Sequence, residues 1–199
     1  MVRPRQKDTR TGLLAAAERI FATKGYAAVG INEILASIGV PKGSFYHYFA
    51  SKDAFGEAVI VRYFEEYLAE LDRIMNDAGQ DWAARLMTYW ASWRATQSLD
   101  DCQGRCLAVK LGAEVADLSE PMRLALKTGT TEVVDRLERA IIGGAGDGSL
   151  TPQGQPRVVA QGLYEMWLGA SVMAKLHRSL APLDSANTLT RQILGVRSP

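Results

Sequence analysis

The sequence is poor in the groups from which catalytic and metal centres are built. Its 199 residues include two cysteines and two histidines. His47 and His177 stand at no spacing from each other, or from Cys102 and Cys106, that a zinc site uses, so no metal centre is expected. There is no nucleotide-binding fingerprint and no Ser/His/Asp constellation, so neither catalytic residues nor a cofactor is expected. No run of eighteen apolar residues occurs, which excludes a membrane-spanning helix. The basic start, MVRPRQKDTR, has no apolar segment behind it and is not a secretory signal; a cytoplasmic chain with reduced cysteines is the expectation. No convincing strand pattern and no internal repeat is present. What remains is helical periodicity along the whole chain, so the fold class is all-α.

The most informative stretch is GINEILASIGVPKGSFYHYFASKDAF, residues 30–55. Ile31, Ile34, Leu35 and Ile38 fall on one helical face over 31–38. Gly39 supplies a left-handed stop, and Pro41 opens a short helix over 42–49. Ser51 is placed to cap a third helix from Lys52 and Asp53. Two short helices joined by a tight turn form a helix-turn-helix, whose second helix enters the DNA major groove. Lys42 and Ser44 lie at the start of that helix, suited to phosphate, and Gly43 allows close backbone approach. Tyr46 and His47 project further along, towards phosphates or base edges, and Lys52 is placed for another phosphate. The plainer alternative is a tight helical corner with surface aromatics.

Charge follows the same division. Eight Lys/Arg against three acids through Lys52 give +5, and 15 basic against 19 acidic residues beyond it give −4, within a formal total of +1. Arg3 and Arg5 in the N-terminal arm are candidates for phosphate or minor-groove contact; a disordered end is the alternative. A helix over 9–24, with Leu13, Leu14, Ala17, Ile20 and Phe21 on one face, braces the helix-turn-helix.

Beyond residue 52 the periodicity predicts helices over 53–75, 82–96, 106–115, 119–142, about 152–179 and 182–194. Loops are expected at 98–104 and in the Gly-rich run GGAGDGS, 143–149, and Ser119 is a candidate N-cap. Val133, Val134 and Leu137 form one late apolar stripe, and Val158, Val159, Leu163, Met166 and Trp167 another. Such stripes serve a dimer interface or the intrachain core. Trp90, Trp93, Tyr164 and Trp167 are candidates to line an effector cavity, against a plain aromatic core.

The segment DDCQGRCLAVK, 100–110, holds both cysteines four residues apart. On a regular helix that spacing puts Cβ atoms about 5–6 Å apart, wider than the roughly 3.5–4.5 Å of a disulfide, although Gly104 relaxes the argument. Cys106 lies near a helix start, beside Arg105 and one turn before Lys110, where thiolate is favoured. A small buried core residue is the alternative.

VPKGSFYHYFASKDAF resembles the recognition-helix signature of the TetR family of transcriptional regulators, and the likeness runs upstream through GYAAVGINEIL. Many members carry Thr where this chain has Gly30. RCLAVKLGAEVADLSEPMR and WLGASVMAKLHRSLAPL are further similar to the N-ethylmaleimide-responsive, electrophile-sensing repressors of that family. The resemblance implies a non-enzymatic homodimer with a DNA-binding domain over 1–52 and a sensing and dimerisation domain over 53–199. It implies a near-palindromic double-stranded operator as partner and detoxification genes under control. It also implies release by a small electrophile or oxidant acting on Cys106, with Lys175 associated and Cys102 as a possible added thiol. A repressor of the same fold with a reversible effector, such as a small unsaturated acid or aldehyde, is the second reading, and an enzyme acting on electrophiles the third.

Overall fold

The computed structural model describes the backbone of residues 6–102 and 106–196 and the side chains of 9–97 and 106–196. Among the described residues there are nine α-helices and no strand. They are α1 (Gln6–Lys24), α2 (Ile31–Ser37), α3 (Lys42–Tyr48), α4 (Lys52–Met75), α5 (Trp82–Cys102), α6 (Leu107–Ala116), α7 (Glu120–Asp147), α8 (Pro156–His177) and α9 (Ala181–Leu194). No described helix is long and apolar enough to cross a membrane. The chain forms two compact units, one from residues 1–66 with 105–129, the other from 67–104 with 130–199.

The first unit is built around aromatic rings. Leu13, Leu14, Ala17 and Phe21 of α1 are buried with Ile34, Leu35, Phe45, Phe55, Val59 and Ile60. Phe55 meets Phe21, Phe45 and Phe49 edge to face, at centroid distances of 6.4, 5.1 and 4.7 Å, the arrangement that ring quadrupoles favour. Gly39 closes α2 with φ +65°, and the Val40 N–H donates to the Leu35 carbonyl at 3.0 Å. Ser51 Oγ accepts from the Ala54 N–H at 3.1 Å and so caps α4 as its sequence position suggests. From α6, Leu107, Leu111 and Val115 are buried at i, i+4 and i+8 spacing.

The second unit is held by packed tryptophans, two of which, Trp93 and Trp167, have paired polar edges. Trp90 stacks on Trp167 at 4.8 Å. Trp93 Nε1 donates to Ser171 Oγ, and Trp167 Nε1 to Thr190 Oγ1, both at 2.9 Å. Those hydroxyls, fully buried, donate in turn to the Trp167 and Ala186 carbonyls at 2.8 and 2.7 Å. Each buried polar group in these two chains therefore has a partner.

Four expectations need correction. The helix expected to end at 96 runs to Cys102, because QSLDDC contains no breaker before Gly104. The Gly-rich run is helical to Asp147. A Cβ on Gly143 would overlap the Trp82 indole and one on Gly144 the Leu150 side chain, so these two glycines serve close packing rather than looseness. Ser119 precedes α7, but its buried Oγ makes no hydrogen bond. The two apolar stripes divide between the expected uses: Val133, Val134, Leu137, Val159, Leu163 and Trp167 are buried within the chain, Met166 is half-buried, and Val158 is exposed. α8 also starts later than expected, at Pro156 behind Gln155, and ends as Arg178 turns left-handed at φ +46°.

Candidate functional site

Phe45 anchors α3 in the aromatic core, and the rest of the helix is left outward. Lys42, Gly43, Tyr46 and His47 are exposed and Ser44 is half-buried. Space around Gly43 is open, with nothing near the position of an added Cβ. Tyr46, 55% exposed, is a large apolar ring with no core to serve. α2 begins at Gly30, whose backbone is extended and which offers no side-chain cap. Arg3 and Arg5 lie outside the described residues. Arg10, in the first turns of α1, stacks its guanidinium 5.3 Å from the Phe49 ring centre.

Lys52, the candidate for a further phosphate contact, has partners within the chain. Its Nζ donates to the Tyr26 carbonyl at 2.9 Å and lies 4.2 Å above the Tyr26 ring. Burial holds its ammonium below the usual lysine range, against the attraction of Asp53 and Glu114. Tyr26 is held at further points. Its hydroxyl donates to Asp53 Oδ1 at 2.5 Å, and burial together with that carboxylate pushes the phenol well above its ordinary range. Its backbone N–H donates to Glu114 Oε2 at 3.1 Å, and the next N–H, of Ala27, to Glu114 Oε1 at 2.7 Å. The residues that fix this turn, Asp53 and Glu114, are 27 and 88 positions from Tyr26. No local pattern in the sequence points to either.

Cys106 is a free cysteine, 7% exposed, and is the N-cap residue of α6. Its carbonyl accepts the Lys110 N–H at 3.0 Å. Cys106 therefore stands at the positive end of a helix. The Tyr63 hydroxyl donates to it at 3.5 Å, a partner that sequence reading missed. Cys106 belongs to the same compact unit as α1–α3. Lys175 lies half-buried in the last turn of α8, in the second unit. The side chain of Cys102, and Arg105, lie outside the described residues.

The four candidate cavity residues do come together. Trp93 meets Tyr164 at 5.6 Å and Trp167 at 6.1 Å, beside the Trp90–Trp167 stack. Two buried polar atoms on this side of α5, Trp90 Nε1 and Gln97 Oε1, have no hydrogen-bond partner. Among the described residues, no group of three or more His, Cys, Asp or Glu is placed to hold a metal ion.

An N-terminal helix-turn-helix in an otherwise helical chain defines a DNA-binding transcriptional regulator. The chain belongs to the TetR family. Residues 13–59 match the bacterial regulatory proteins, tetR family, and residues 83–190 match the tetracyclin repressor-like C-terminal domain. It is 39% identical over 194 residues to the HTH-type transcriptional repressor NemR of Escherichia coli K12, covering 95% of each chain. It is 31% identical over 185 residues to the HTH-type transcriptional repressor DhaR of Mycobacterium sp. GP1, covering 93% of this chain and 91% of that one. The crystal structure of reduced E. coli NemR superposes with a TM-score of 0.91 at 38% identity, over 96% of this chain and all of that one.

Proposed function

We propose that the protein is a cytoplasmic, dimeric repressor that leaves its operator when an electrophile or oxidant modifies Cys106. The observation that carries this reading is the setting of the sulfur. It belongs to the residue at the N-cap position of α6, receives the Tyr63 hydroxyl, and stands in the same unit as the helix-turn-helix. With N-ethylmaleimide, the Cys106 thiolate adds to the ring C=C, one S–C bond forms, and a proton from water goes to the neighbouring carbon. Nothing leaves, so the adduct adds bulk at a position that is only 7% exposed. α6 must then shift, and the geometry of the recognition helices changes with it. Lys42, Gly43, Ser44, Tyr46 and His47 supply the DNA surface, and two copies read a near-palindromic site with recognition helices about 34–36 Å apart. The exposed face of α8 supplies the dimer contact. Val158, Val172, Met173 and Leu176 are exposed there, alongside the open Gly162 and Gly169, which allow close approach of a second helix.

The test is binding to the DNA upstream of the protein's own gene, with and without N-ethylmaleimide, followed by intact mass. Release with a single adduct on Cys106, absent in Cys106→Ser, is the expected result. Tight binding by protein with a confirmed Cys106 adduct overturns it.

A second reading draws on Trp90 Nε1 and Gln97 Oε1, a donor and an acceptor buried at one turn-matched face of α5. They suit a reversible effector with a carbonyl and a hydroxyl, such as a small unsaturated acid. Release that reverses on dilution, with no mass gain, selects it.

A further inference from the structure

We propose that Glu114 is a positioning residue for DNA reading, the point at which the helix begun by Cys106 holds the turn that carries α2 and α3. The proposal rests on the DNA-regulator reading, and it stands whether or not Cys106 is the sensor.

The geometry is specific. Glu114 lies on α6 eight residues beyond Cys106, at i+7 from the buried Leu107 and i+3 from the buried Leu111, so it is half-buried at the edge of the face that α6 turns inward. Both of its oxygens are used, one on each of two consecutive backbone N–H groups, Tyr26 at 3.1 Å and Ala27 at 2.7 Å. These N–H groups open the turn after α1 and have no partner within a helix. A carboxylate on them makes charge-assisted bonds, about twice as strong as neutral ones. The turn is shaped to receive it. Gly25 has φ +86°, and a Cβ there would lie 2.7 Å from Glu114 Oε2. Glycine is therefore required twice, by its backbone angle and by the approach of the carboxylate.

The turn is fixed from its other side by the start of α4. Lys52 holds the Tyr26 carbonyl and Asp53 the Tyr26 hydroxyl. With Glu114 on the N–H, one residue is held at its donor, its acceptor and its ring. Tyr26 is five residues before Ile31, where α2 begins. Without Glu114, the turn keeps its α4 contacts but loses the two bonds that tie its N–H groups to α6. The register of α2 and α3 on α1 then relaxes, which weakens specific docking and leaves general phosphate attraction intact.

The experiment uses the full-length protein with a duplex from its own upstream region and a random duplex of equal length. Glu114→Ala is expected to weaken the specific complex about tenfold, with binding to the random duplex unchanged. Glu114→Gln, which keeps one acceptor, should fall between Glu114→Ala and the unsubstituted protein. Amide hydrogen exchange at Tyr26 and Ala27 should accelerate in Glu114→Ala without a matching change in the second unit. Unaltered specific binding together with unaltered exchange at those two amides overturns the proposal. Should Glu114→Ala fail to fold, Glu114→Gln carries the same two readouts. A wild-type protein indifferent to N-ethylmaleimide, with Glu114→Ala still impaired on DNA, puts the failure on the thiol reading and supports the clamp.

Discussion

The Tyr63 hydroxyl donates to the Cys106 sulfur across 3.5 Å, within the unit that contains the helix-turn-helix. A hydroxyl held against the sulfur can steady the charge that builds on it as it attacks an electrophile. Tyr63→Phe keeps the ring and removes the donor. It is expected to slow alkylation of Cys106 by N-ethylmaleimide several-fold at neutral pH, followed as adduct mass against time. An unchanged or faster rate means that the contact orients the sulfur and does not activate it.

The part of the site that was legible in the sequence is the part with local chemistry. Ile31 to Tyr48 announces its two helices through spacing, glycine and proline, and Ser51 announces its cap. Cys106 drew attention as a helix-start thiol and is the N-cap of α6. Contacts between residues far apart in the chain were not legible. Nothing near Glu114 marks it as the acceptor for residues 88 and 87 positions away, and nothing near Lys52 says that it serves the Tyr26 carbonyl. The Gly-rich end of α7 misled for a physical reason, since glycine signals both freedom and close packing, and only the Trp82 and Leu150 side chains tell which.

That distinction can be tested at Gly143. An added methyl group would overlap the Trp82 indole, although alanine is the better helix former. Gly143→Ala is expected to destabilise by roughly 1–3 kcal/mol, the usual cost of overpacking, measured by chemical denaturation. A stabilised variant means the run is loose after all. Gly146, with open space at its Cβ position, is the control, and Gly146→Ala should be neutral or slightly stabilising.

The α8 surface makes a separate prediction. Val158 and Leu176 are 69% and 72% exposed, and the residues on the opposite face of the helix are buried. Leu176→Glu should leave the helical content and melting of the subunit intact. It should shift the monomer–dimer equilibrium towards monomer about thirtyfold, the scale of a 2 kcal/mol interface residue. Sedimentation at micromolar concentration reads the change, and operator affinity should fall with it. An unaltered dimer places the contact on another face.

Glu18 on α1 gives a pH-dependent prediction. Burial pushes its carboxyl above the ordinary glutamate value of 4.5; Glu66 pushes the same way and Arg62 opposes them. Arg62 is committed to Glu66, at 2.6 Å, so its help to Glu18 is diluted. A raised folded-state value means that the protonated form is the one the fold favours. That advantage is fully present below the unfolded value and is lost as pH rises through the folded one, so at pH 7 the charged Glu18 is a net cost. Glu18→Gln should therefore be more stable than wild type at pH 7, and the gain should shrink to nothing as pH falls below about 4.5. Urea titrations of both proteins at each pH decide it. Lower stability of Glu18→Gln at pH 7 means that attraction by Arg62 outweighs burial, and that the ion pair between Arg62 and Glu66 is shared three ways in solution.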